Sequence, residues 1–162
     1  MRLAAGILIF LICSAWGFRS SLALKRRCVL LGELRMMVEQ YSIEIACTAP
    51  TLPELARHSQ GQFGRILCEA AGKTSDIRSA WSAAVDELSR LPECGAEESA
   101  LLRELGGELG TCPAESQLSI LKLYSARLEQ LYSAAEKNSQ QRGKLYRSGG
   151  VLAGLGAAVM LL

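Results

Sequence analysis

The sequence predicts an all-α protein, a helical bundle of about five or six helices flanked by N- and C-terminal hydrophobic membrane helices. Three observations predict it. Apolar residues recur at spacings of three and four from Leu30 to Ala135, no convincing strand pattern appears anywhere, and an uncharged apolar run lies near each end of the 162-residue chain. Charge sorts along the chain in the same way. Residues 1–27 hold five basic residues and no acid, residues 137–162 hold four and no acid, and the stretch between holds all sixteen acids against nine bases. A nucleic-acid binder concentrates Lys and Arg on its folded body, so a centre of net charge −7 argues against that class.

The first run is Leu3 to Phe18 and the second Ser148 to Leu162, 16 and 15 residues without a charge. At a helical rise these reach roughly 24 and 22 Å, against a hydrocarbon core of about 30 Å. Arg19 can snorkel and let the first run extend to Leu24, and local thinning of the bilayer costs little. A cleaved secretory signal is the alternative for the first run, with a site after Ala23. Arg19 interrupts the approach to that site, and Lys25-Arg26-Arg27 hinders translocation while suiting a cytoplasmic flank. A buried C-terminal helix is the alternative for the second run, but a helix apolar all round needs burial on every side. If both runs span, the positive-inside rule puts Lys25-Arg26-Arg27 and Lys137, Arg142, Lys144 and Arg147 on one, cytoplasmic side. The expected division is a membrane anchor over 1–24, a cytoplasmic helical bundle over 25–147 and a C-terminal membrane segment over 148–162.

The stretch from Leu30 to Arg57 organises the bundle. Leu30, Leu31, Leu34, Met37, Val38, Tyr41 and Ile45 fall on one helical face, with Glu33, Arg35, Glu39 and Gln40 on the other. Pro50 and Pro53 stop that helix near Thr48. Thr51 and Glu54 then form a T-x-x-E capping box that restarts the chain as a second helix, with an acid at its positive end. Phe63, Ile66, Leu67 and Ala70 mark a short helix closed by Gly72, and Thr74 or Ser75 is expected to cap the next, whose buried face is Ile77, Trp81, Ala84, Val85 and Leu88. Pro92 separates it from a helix with Glu97 and Glu98 in its first turn, Leu102, Leu105 and Leu109 inward and Gly110 as its stop. Thr111 and Pro113 open the longest helix, with Leu121, Tyr124, Leu128, Leu131 and Ala135 along its stripe, continuing toward the second membrane run.

Residues that carry bond chemistry are sparse. His58 is the one histidine, placed at a helix end beside Ser59. No G-x-x-x-x-G-K-[ST] phosphate loop occurs, and the pairs Asp86-Glu87 and Glu97-Glu98 diverge around their helices as solvated faces. The six cysteines, at 13, 28, 47, 68, 94 and 112, show no C-x-x-C or other metal-ligand spacing and read as reduced thiols; three disulfides belong to the exported alternative. The chain is therefore expected to be no enzyme and to need no cofactor, metal or small-molecule substrate. Glu44 borders the buried stripe just before the turn, where it is either an ordinary solvated glutamate or one that bonds backbone or a partner. Gly150 and Gly154 form a G-x-x-x-G pair that lets membrane helices approach closely, a homo-oligomer included, although glycine is also simply common in such helices.

Taken as an ordered set, these residues resemble the stage III sporulation protein AB family over nearly the whole chain. The resemblance is carried by the N-terminal anchor with its basic flank, Glu44-Ile45 with Leu52 after the turn, Trp81, Leu105-Gly106, Leu109-Gly110 followed by Gln117, and Lys144-Leu145-Tyr146-Arg147-Ser148 with Gly150 and Leu152-Ala153-Gly154-Leu155. It implies a helical bundle similar to the cytoplasmic domains of type II secretion and type IV pilus inner-membrane platform proteins. It further implies a subunit of the channel-like complex between mother cell and forespore, on the mother-cell membrane, coupling a cytoplasmic ATPase to membrane subunits. Glu44, Leu52, Glu54, Trp81, Gly150 and Gly154 are the candidate interaction or packing sites.

Overall fold

Six α-helices follow one another in the computed structural model: α1 (Arg2–Thr48), α2 (Leu52–His58), α3 (Gly61–Lys73), α4 (Ile77–Ser89), α5 (Ala96–Glu108) and α6 (Ala114–Leu161), with no strand among the described residues. The structure describes the backbone of residues 2–48 and 50–161 and the side chains of residues 15, 19, 21–48, 50–113 and 115–141. The chain divides into two compact units, Met1–Cys28 with Ser133–Leu162, and Val29–Tyr132. Among the described residues no helix is long and apolar enough to cross a membrane. Apart from Ala15, the side chains of the two terminal apolar runs lie outside the described residues.

In the unit Val29–Tyr132 the predicted stripe of α1 is buried in full: Leu30, Leu31, Leu34, Met37, Val38, Tyr41 and Ile45 are all buried. Removing each such side chain from water contributes on the order of 2 kcal/mol before chain entropy is set against it. Buried in the same unit are Leu55 and Ala56 of α2, Phe63 and Leu67 of α3, Ala80, Trp81, Ala84, Val85 and Leu88 of α4, Leu101, Leu102 and Leu105 of α5, and Leu121, Tyr124 and Leu128 of α6. The α1 and α6 segments run side by side here. Arg35 bonds Glu129 at 2.6 Å and lies 5.7 Å from the centroid of the Tyr132 ring.

The turns follow the sequence with two corrections. Glu54 accepts the Thr51 N–H at 2.8 Å and the Thr51 hydroxyl at 2.9 Å, so the capping box forms and α2 starts with Pro53 in its first turn. Leu109 closes α5 and Gly110, at φ +75°, turns the chain into α6, the left-handed position that favours glycine. Gly72, by contrast, is no stop: α3 runs on through Lys73 and ends at an extended Thr74. The α4 cap is neither Thr74 nor Ser75 but Asp76, whose carboxylate accepts the N–H groups of Arg78 and Ser79 at 3.2 and 3.1 Å. A carboxylate reaches two donors at once where a hydroxyl reaches one; the Ser79 hydroxyl, donating at 2.6 Å, and then these two N–H groups hold its pKa below the usual range.

In the unit formed by Met1–Cys28 and Ser133–Leu162, Ser21 and Ala135 are buried, and Cys28 bonds Ser139. Burial pushes the Cys28 thiol up from its ordinary value. Among the described residues Cys28, Cys47, Cys68, Cys94 and Cys112 are in no disulfide.

Candidate interaction sites

The polar side chains of α1 that border its buried stripe converge on the turn between α2 and α3. Glu44 and Gln40 are one helical turn apart, and the Gln40 amide donates to Glu44 Oε1 at 2.7 Å and to the His58 carbonyl at 3.3 Å. Glu44 Oε2 meets His58 Nδ1 at 3.2 Å. The Gln40 bond first, then His58, holds the Glu44 carboxyl below the usual carboxylate range, although its own desolvation opposes this. Glu44 thus bonds side chains of its own chain, which is neither the backbone bond nor the partner contact weighed for it from sequence.

One turn nearer the core, the Tyr41 hydroxyl bonds Ser59 Oγ, while Ser59 donates its own proton to the Leu55 carbonyl at 3.0 Å. The phenol is therefore the donor of that pair. Burial pushes its pKa up to about 12. Glu33, three turns before Glu44, accepts the Gln62 N–H at 2.7 Å in the first turn of α3, whose own N-cap Gln60 makes no side-chain cap bond. Gly61, at φ +82°, lets the chain turn beneath this carboxylate, and a Cβ there would meet Glu33 Oε2 at 2.8 Å. A glutamate of α1 thus caps α3 from outside. Sequence spacing shows Glu33 only as a residue on the polar face, and no local signal joins it to a donor 29 positions away.

Trp81 forms the second cluster. Its ring packs edge-on against Phe63 with centroids 5.0 Å apart, and its Nε1–H donates to the Leu102 carbonyl at 2.8 Å. It sits directly against Gly106, where any Cβ would fall 2.2 Å from Trp81 Cδ1. One side chain thereby ties α3, α4 and α5 together, and a glycine in α5 is the condition for it. Leu52 is half-buried, with its Cδ2 3.9 Å from where a Cβ on Gly110 would stand, so the start of α2 rests by the α5–α6 turn. Gly150 and Gly154 belong to α6, in a segment whose side-chain surroundings lie outside the described residues.

One expectation on charge is corrected. Glu97 is exposed as expected, but Glu98 is fully buried in the first turn of α5, where the positive helix end favours a carboxylate. His58 and Ser59 also fail to form a nucleophile–base pair. Nδ1 faces Glu44, and Ser59 Oγ is committed to Tyr41 and Leu55. A groove of about 360 Å³ lined by Pro53, Arg57, Cys68, Thr74 and Ile77 holds no carboxylate or histidine. Among the described residues no three His, Cys, Asp or Glu side chains gather as a metal set would.

Trp81 with Gly106, Gly110 at the α5–α6 turn, and Gln117, which donates to the Cys112 carbonyl at 2.7 Å, account physically for the central part of the resemblance. The family model for stage III sporulation protein AB matches residues 2–162. The chain belongs to that family. Comparisons with curated proteins and with solved structures returned no match. For a stage III sporulation protein AB family member, the motif residues in the bundle read as the fittings that lock one helix to the next.

Proposed function

We propose that this member of the stage III sporulation protein AB family is a non-enzymatic, membrane-anchored structural subunit of a secretion-like channel complex between mother cell and forespore. It would sit on the mother-cell side of the membrane, with its helical bundle in the cytoplasm as a platform for assembly and for docking a cytoplasmic ATPase. The match of the family over residues 2–162 carries the reading. The uncharged runs at 3–18 and 148–162 and their basic flanks support anchorage. The acidic centre supports docking to basic surfaces, where charge acts chiefly on association rate and partner choice. Its mechanism is positioning and transmission of force by helices whose contacts are fixed at Trp81 and at the Glu33 and Glu44 clamps.

Labelling in intact cells tests this. Cys47 and Cys68 are exposed, so a membrane-impermeant thiol reagent should leave both untouched in intact cells and modify both after lysis. Modification from outside, or thiols that react only after reduction, would transfer the chain to the exported, disulfide-bonded alternative.

A further inference from the structure

We propose that the outward face of α1 from Val29 to Ile43 is a docking seam for a helix of a different protein, one that is apolar at seven-residue spacing and basic opposite Glu39. This deepens the platform reading and rests on it only in taking the body to be a docking module. The observation is a contrast within one helix. Val29, Met36 and Ile43 are 61%, 61% and 60% exposed, whereas the opposite face of the same segment is buried throughout. Seven residues are close to two turns, so the three side chains form one row with a drift of about 20° per step. A single exposed aliphatic residue on a surface needs no explanation. Three large ones in a constant heptad row supply one of the two apolar positions of a helix–helix seam.

The charges beside the row select the occupant. Glu39 is exposed next to it, while Glu33 on the other flank is engaged with Gln62. A second copy of this chain can cover all three apolar residues either in parallel register or antiparallel about Met36. The first sets Glu39 against Glu39, the second sets Glu39 against Glu33, and both are like-charge pairs. A bilayer surface is disfavoured as well. An interfacial helix flanks its apolar side with Lys and Arg along its length; here the exposed Lys25 and Arg26 lie a turn before Val29, and from Val29 to Ile43 the one basic residue, Arg35, is held by Glu129 and Tyr132. A basic amphipathic helix meets both the row and its charge.

The test uses the full-length chain in detergent micelles and two fluorescein-labelled synthetic helices about four heptads long, with leucine at the seam and either lysine or glutamate flanking it. Anisotropy should give the lysine helix at least about tenfold tighter binding than its glutamate twin. Met36→Asp and, independently, Val29→Asp should each abolish that binding with an unchanged thermal melt, since both side chains are exposed. Glu39→Lys should reverse the preference. Peroxide supplies a second readout, because Met36 is open and Met37 is 2% exposed. The lysine helix should protect Met36 from oxidation, and Met37 should stay unoxidised throughout.

Failure of either helix to bind, equal binding of both, or indifference to Glu39→Lys overturns the proposal. So does a dimer that Met36→Asp dissociates, which assigns the row to a second copy. Protection of Met36 in proteoliposomes without the helix assigns it to lipid and equally overturns it. None of these results alters the thiol-labelling outcome, so loss of the seam and loss of the anchored-platform reading are told apart.

Discussion

At the scale of single residues, a tight constraint lies where Trp81 meets Gly106. A methyl group 2.2 Å from Cδ1 cannot be accommodated unless the indole moves, and moving it strains the Nε1 bond to Leu102. Gly106→Ala should therefore destabilise the bundle by roughly 1–3 kcal/mol in urea titration, the range for overpacking. In the double variant with Trp81→Phe the two losses should be markedly less than additive, because the smaller ring relieves the clash. Strict additivity would mean that the contact is not what fixes α5 against α4. Tyr41 gives a pH test. Its phenol ordinarily titrates near 10 and burial pushes it to about 12. Below pH 10 both folded and unfolded chains hold the proton, so the group contributes no pH dependence. Between 10 and 12 the unfolded chain releases a proton that the native chain keeps, and stability should fall by about 2–3 kcal/mol over that window. Tyr41→Phe should flatten this alkaline limb while costing about 1 kcal/mol at neutral pH for the lost bond to Ser59.

At the scale of elements, two helix starts of this bundle, those of α2 and α4, are capped locally, and a third is capped by a side chain from another helix. Asp76 caps α4 from its own N-terminus, but α3 is capped by Glu33 of α1. Glu33→Ala should cost about 1 kcal/mol, and hydrogen exchange at the first amides of α3 should accelerate while that of α5 stays unchanged. A uniform rise across both helices would show that the carboxylate supports the whole fold and does not specifically cap α3. The same distinction explains what was readable beforehand. The seven buried positions of α1, the Thr51–Glu54 box, the Gly110 stop and the single long helix into the C-terminal run follow from periodicity and local backbone chemistry, and they are where those rules place them. Asp76 lost to Thr74 and Ser75 in the sequence because all three are good capping residues within one turn, and only the path of the chain decides among them. Glu98 was assigned to solvent because sequence cannot show that the first turn of α5 is covered. Pairings such as Glu33 with Gln62 or Glu44 with His58 span 29 and 14 positions and depend on tertiary placement, which no local pattern encodes. The row Val29, Met36, Ile43 differs again: its heptad spacing was present in the sequence, but only burial on the other face identifies it as open.

At the scale of the whole molecule, the anchored reading proposed above rests on composition, an acidic middle between apolar ends. The middle carries all sixteen acids, and the two ends hold runs of 16 and 15 uncharged residues beside nine bases. Each base near an anionic lipid surface contributes about 1 kcal/mol of attraction, so on the anchored reading the flanks would reinforce the apolar runs. The division at 24 and 148 then has a direct consequence. A chain of residues 25–147 keeps the complete stripe of α1 with the core residues of α2 to α5 and the packed part of α6, and it discards only what the anchored reading assigns to lipid. It should remain in solution without detergent, show the circular dichroism of a mostly helical protein and unfold cooperatively. The full-length chain should sediment with membranes through high-salt and carbonate washes and need detergent to be released, because hydrocarbon burial is indifferent to ionic strength while headgroup attraction is screened. Release of the full-length chain by salt alone would reduce the ends to surface contacts. A trimmed chain that precipitates as a poorly helical aggregate would show that the terminal runs belong to the folded core, as the buried-helix alternative for Ser148 to Leu162 requires.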